Sequence, residues 1–248
     1  MENCLNCGTE LNGKYCHNCG QQKISKRFSV KSLFHDFLHS SFHWESTLIS
    51  TIKELLISPG NFMRNYIEGK RKSYSSPVSF FILTLTIFLI LFHFISENYL
   101  NYINQMVMGE RSNSLSIYGM TVPELQHLIS SKLNYFMFIL PPAFGFSFIL
   151  FFRKTKINFA ESLVISFYVL GQGMLISSVL ILFLMISFKL WNLRFFFTFG
   201  YYIYAMIQFS RSNILPGFFK SLGVIIISYL FYMLTVVILV LGYLRLTH

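Results

Sequence analysis

VSFFILTLTIFLILFHFI, residues 78–95, runs for eighteen positions without a charged side chain. A helix rises 1.5 Å per residue, so about 20 apolar residues cross the ~30 Å hydrocarbon core of a bilayer. Four further segments read the same way: Tyr135–Phe152, Ser162–Phe188, Phe195–Phe209 and Leu222–Leu244. Pro141-Pro142 lies inside the second and predicts a break there, since proline removes a backbone donor and clashes with the preceding turn. The fourth is the shortest, unless it begins near Trp191 and lets Arg194 reach back to the interface. The expected fold class is an all-α polytopic membrane protein of about five transmembrane helices.

Composition points the same way. The 248 residues are 54% hydrophobic, 18% aromatic and only 12% charged, and the mean hydropathy is +0.54. Soluble domains carry about 25% charged residues, so the surplus apolar surface is expected to face lipid. The net charge of +10 is distributed for a membrane and not for nucleic acid: ten of the twenty Lys/Arg precede residue 77, beside six Asp/Glu. Five spans with the N-terminus inside place fifteen Lys/Arg inside and five outside, and four spans, without the fourth segment, give fourteen and six. Either split obeys the positive-inside rule and puts the N-terminus in the cytoplasm. The chain opens Met-Glu-Asn-Cys and stays polar, unlike a cleavable signal peptide.

All four cysteines fall in residues 4–19, as Cys4-x2-Cys7 and Cys16-x2-Cys19, with Gly8 and Gly20 directly after each pair. Two cysteines three apart form a knuckle with both sulfurs on one ion, and two knuckles complete a tetrahedral thiolate set suited to Zn²⁺. A pair of disulfides would call for an oxidising compartment, which the missing export signal does not support. His17 reads as a solvated neighbour. A closed four-thiolate site is structural, so the expected cofactor is a structural Zn²⁺ in a zinc ribbon over residues 1–22.

Residues 28–76 read as amphipathic juxtamembrane helices, followed by a transmembrane domain over 77–248. Val30, Leu33, Phe34, Phe37, Leu38 and Phe42 line one face of a helix from Phe28 to Trp44, while His35, His39 and His43 recur every fourth residue opposite, with Asp36 beside them. Histidines at that spacing can share a metal, but no H-E-x-x-H pattern is present, and a polar face near headgroups is the favoured account of the stripe. Ser46–Ser58 is a second amphipathic stretch, too short to span. Pro59-Gly60 breaks it, Asn61 caps a third short helix and Gly69 ends that one. Lys70, Arg71 and Lys72 just precede the first span, where cations set topology and attract anionic headgroups. Residues 97–134 form the one sizeable external loop, with a short helix over 122–133. Within the spans Glu161 and Gln172 are the candidate polar sites; Glu161 has Arg153, Lys154 and Lys156 nearby for an interfacial ion pair, and Gln172 lies between Gly171 and Gly173.

The paired CxxCG module, the stretch LFHDFLHSSFHWESTLISTIKELLISPGNFMRNYIEGKRKSYSSPVSF and the hydrophobic segments after it resemble an uncharacterised family of bacterial zinc-ribbon multi-pass membrane proteins, a domain of unknown function. The resemblance rests most on the histidine-rich helix, Pro59-Gly60 and the pattern Arg64, Tyr66, Gly69, Lys70, Arg71, Pro77. NFAESLVISFY resembles the family's third span, with Ser162 where a histidine would follow the acid. The membrane half is loosely similar in architecture to the Yip1-type domain. The resemblance implies the bacterial inner membrane and no reaction.

The leading expectation is a non-enzymatic membrane scaffold or adaptor that uses the zinc module to dock a cytoplasmic protein. The alternatives are a channel, transporter or oligomeric pore-type effector, such as a bacterial defence accessory, and a metal-dependent membrane enzyme using His35, His39 and His43. Membrane lipids are the expected partners alongside that protein, nucleic acid is disfavoured, and a homo-oligomer would be needed to line a pore.

Overall fold

A computed structural model describes residues 2–11, 13–23, 27–39, 44–107, 116–117, 120–121, 124, 132–184 and 193–247. After the cysteine module come three short helices, α1 (Val30–His39), α2 (Trp44–Ile57) and α3 (Pro59–Glu68), and then α4 (Pro77–Val107). The rest of the chain forms α5 (Leu133–Met137), α6 (Leu140–Phe151), α7 (Phe159–Leu184), α8 (Leu193–Ser210) and α9 (Ile214–Thr247). Between α4 and α5, Ser116–Ile117 pairs antiparallel with Met120–Thr121.

Three stretches are long and apolar enough to cross a membrane: Pro77–Ile95, Phe159–Leu182 and Ile214–Arg245. The other two expected segments fall short for separate reasons. Tyr135–Phe151 is apolar but shorter. Its helix stops at Phe138 and Ile139 and restarts with Pro141 and Pro142 in the first turn of α6, where a missing N–H costs nothing. α8 has 18 residues, but tyrosines and Arg194 dilute its apolar character. Arg194 does not reach back to the interface, the condition on which a longer fourth segment depended. It is buried, with its guanidinium 4.6 Å from the Phe195 ring centre and 5.9 Å from that of Phe88, where the rings face its charge.

α4 runs on to Val107, past the end of its apolar run, so the expected external loop begins as helix. No Pro or Gly interrupts residues 96–107, and helix propensity does not stop where hydropathy does. The helix expected over 122–133 falls, apart from Glu124, Lys132 and Leu133, outside the described residues.

α7 is the central helix. It packs against α4, α6 and α8 and touches α1, α2 and α3 at its amino-terminal half. Small residues set the approaches: Gly171 lies under Phe80 and Thr84 of α4, and Gly145 of α6 faces Ser162 and Ser166. Gly173 lies under the Tyr202 ring of α8, so close that a Cβ there would overlap it. Lipid gives helices no hydrophobic reason to associate, so such close packing and bonds like Ser177 to Thr198, 2.9 Å between hydroxyls, hold the bundle.

Candidate metal centre

Residues 2–11 and 13–23 fold into two similar knuckles. In the first, the Gly8 N–H donates to Cys4 O and the Cys4 N–H to Thr9 O; in the second, Gly20 donates to Cys16 O and Cys16 to Gln21 O. Asn3 bridges Glu10, and Tyr15 bridges Gln22. Gly8 and Gly20 sit at φ 77° and 70°, a region that costs a residue with a Cβ about 1–2 kcal/mol. That is the physical reason each CxxC is followed by glycine.

The four sulfurs converge. All lie within 4.8 Å of one another, with Cys4–Cys19 at 3.6 Å and Cys7–Cys16 at 3.5 Å. None is disulfide-bonded. Zn–S bonds of ~2.3 Å at tetrahedral angles put sulfurs about 3.8 Å apart, so the residues present fit such an ion. The local field prepares part of the set for it. Thr9, through its hydroxyl and backbone, holds the Cys7 thiol down at about 6, and the Cys7 and Asn6 backbone N–H groups lower that of Cys4. Burial pushes Cys19 up to about 11, and the neighbouring thiols add to it. A dication is what allows all four to ionise together, and it would supply this small module with a core. The four sulfurs would fill its coordination sphere, leaving it structural.

The module is not a free knob. Gln21, the residue after the second knuckle, is buried against the turn between α3 and α4. Its amide donates to Gly69 O at 2.8 Å and accepts from the N–H groups of Arg71 and Lys72, both at 3.1 Å. One side chain thus satisfies three backbone groups that no helix ladder serves.

A second tie lies four residues beyond the module. The Arg27 guanidinium grips Glu161 with two bonds, 2.6 and 2.7 Å, and also donates to Lys156 O at 2.6 Å. Glu161 is 3% exposed. Its carboxylate also accepts from the Asn158 N–H, while Asn158 Oδ1 accepts from the Glu161 N–H: a capping box at the start of α7. The ion pair expected with Arg153, Lys154 or Lys156 is made instead by an arginine 134 positions upstream.

The basic cluster is divided. Arg71 turns inward, its guanidinium 3.8 Å from the Phe28 ring centre, while Lys72 is exposed and Lys70 half-buried. Phe28 lies face to face with Tyr66, and Phe62, Tyr66 and Tyr74 surround Tyr168 of α7 or one another edge-on. The Tyr168 hydroxyl donates to Ser75 O at 2.6 Å. α3 is fixed to the end of α8 in the same manner: Gly60 N–H donates to Gln208 Oε1 at 2.6 Å, and Arg64 donates to Gln208 O at 2.8 Å and to Phe209 O. α3 begins at Pro59 after Ser58, two residues before the cap expected at Asn61, and ends at Gly69.

Gln172 is buried in α7, and its Oε1 has no hydrogen-bond partner among the described residues. The side chains of His35, Asp36 and His39, and all of His43, lie outside the described residues. Gln21, Arg27, Asn158 and Gln208 were not singled out in the sequence. Of these, only the Asn158-x-x-Glu161 spacing carried a local signal.

Residues 45–89 match a family described as a protein of unknown function (DUF3667). The matched stretch is α2, α3, the turn that receives Gln21, and the first part of α4; the cysteine module lies outside it. No curated protein and no solved structure matches the chain.

Proposed function

We propose that this chain is a non-enzymatic scaffold of the bacterial cytoplasmic membrane, crossing it five times from a cytoplasmic N-terminus. Its zinc ribbon caps the approach to the first span and offers its outer face to a cytoplasmic protein. The observation that carries this reading is the Gln21 amide seated on the 69–72 turn. It joins the cysteine module to the membrane bundle and leaves Leu5 and Tyr15, 53% and 62% exposed, free for a partner. A filled thiolate sphere has no position for a substrate, which supports a structural ion and a docking role. Five passes are supported by α8, whose 18 residues span about 27 Å at 1.5 Å each while it packs along α7 and reaches α3 with its last turn. The cytoplasmic N-terminus rests on the Lys/Arg distribution, and the bacterial membrane on the resemblance described above.

The test is crosslinking in native membranes followed by metal analysis of the purified chain. One zinc per chain and a recurrent cytoplasmic partner are expected. The paired variant Leu5→Asp/Tyr15→Asp should keep the zinc and lose the partner, whereas Cys16→Ser/Cys19→Ser should lose both. Iron in place of zinc, or a partner indifferent to both variants, would overturn the reading.

A further inference from the structure

α2 has two apolar faces. Leu48, Thr51 and Leu55 turn inward, with Thr51 and Leu55 fully buried. Ile49, Ile52, Lys53, Leu56 and Ile57, at i, i+3, i+4, i+7 and i+8, line a shallow, open groove on the other side, with Ile52 at its inner edge also packed against the core. Ile49, Leu56 and Ile57 are 67%, 48% and 64% exposed.

The depth of this face can be read from its neighbours. Tyr201 donates to Leu55 O at 3.1 Å and Tyr204 to Ile57 O at 2.8 Å, so tyrosines serve carbonyls that the end of a helix normally gives to water. Tyr202, beside Tyr201, lies on Gly173, and Gly171 lies under Phe80 and Thr84, in the first two turns of the span that begins at Pro77. The end of α2 therefore sits at the depth where the bilayer's apolar layer begins. Tyr204 is itself 43% exposed. Lys53 is exposed and forms no ion pair among the described residues.

We propose that this groove is a lipid site, holding an acyl chain of an anionic phospholipid along Ile49, Ile52, Leu56 and Ile57 with its phosphate against the Lys53 ammonium. The inference rests on the membrane placement proposed above. Its occupant follows from an apolar floor with one exposed cation at its edge, at the depth where chain and headgroup meet.

The full chain is reconstituted in vesicles of equal parts phosphatidylcholine and phosphatidylglycerol, in which one or the other lipid carries a photoactivatable acyl chain, and labelled peptides are mapped by mass spectrometry. Residues 49–57 should be labelled about fivefold more by the phosphatidylglycerol probe, the ratio expected of one lysine at an anionic surface. Lys53→Gln should equalise the two probes, and Leu56→Asn should lower labelling by both. Equal labelling that Lys53→Gln leaves unchanged would mean bulk lipid only, and crosslinks from this face to a second copy or another protein would mean a protein interface. Either result overturns the site. The outward face of α9 is the internal reference: if it is labelled while α2 is not, the site fails and the membrane placement stands, and if neither is labelled the placement itself fails.

Discussion

α7 and α9 are both long apolar helices, and they are buried in opposite measure. Over an 18-residue stretch of each span, 78% of the α7 residues are inside the molecule, against 33% for α9, although α9 is the more apolar of the two there. In water that order would be reversed, because burying the greasiest helix gains most. Here α7 carries Ser162, Ser166, Gln172, Ser177 and Ser178 into the interior, while α9 turns Leu230, Phe231, Leu234, Val237 and Ile238 outward. Polar groups are hidden from lipid, and lipid covers the rest. The contrast between the two helices is the physical basis for reading this chain as membrane-embedded.

The largest effect is expected where a charge is placed on the outward helix. Leu230→Arg, at a 63% exposed position near the middle of α9, should cost ~3 kcal/mol of insertion, read as loss of folded protein in detergent-extracted membranes. If that face met water the substitution would be nearly neutral, and the contrast would collapse. Next comes a matched pair of glycines. Gly173→Val on α7 drives a side chain into the Tyr202 ring and should cost about 1–3 kcal/mol as overpacking. Gly242→Val on α9, where a Cβ meets nothing within 4 Å, should leave the thermal unfolding midpoint unchanged. The finest test removes one hydroxyl. Ser177→Ala breaks the bond to Thr198 on α8 and should cost about 0.6 kcal/mol. Thr235→Val on α9 loses only a bond to Phe231 O within its own helix and should cost less, the two being compared by steric trapping or unfolding in the same detergent.

The cluster of four sulfurs was legible because Cys4, Cys7, Cys16 and Cys19 are neighbours in sequence and their spacing alone encodes the knuckle. The same holds for the long apolar runs and for the break before Pro141. The seat of the module was not legible. Gln21 meets Gly69, and Arg27 meets Glu161, across 48 and 134 positions, and no periodicity links residues so far apart. Local reasoning offered Glu161 the nearest cations, Arg153, Lys154 and Lys156. The fold instead chose the one whose backbone leads into Phe28, where Asn158 Nδ2 donates to Phe28 O and the Phe28 ring packs on Tyr66. Arg71 misled for a related reason. Its sequence neighbours mark it as a headgroup contact, yet Phe28 gives it an aromatic surface that the primary structure does not advertise.

Arg27 and Glu161 also set an order of events at the ribosome. The arginine leaves the exit tunnel long before its carboxylate does, and at ~5–20 residues per second the delay is roughly 7–27 s. The segment around Arg27 must therefore wait for its carboxylate until the start of α7 has been made. A segment synthesised early is thus among the last to be fastened.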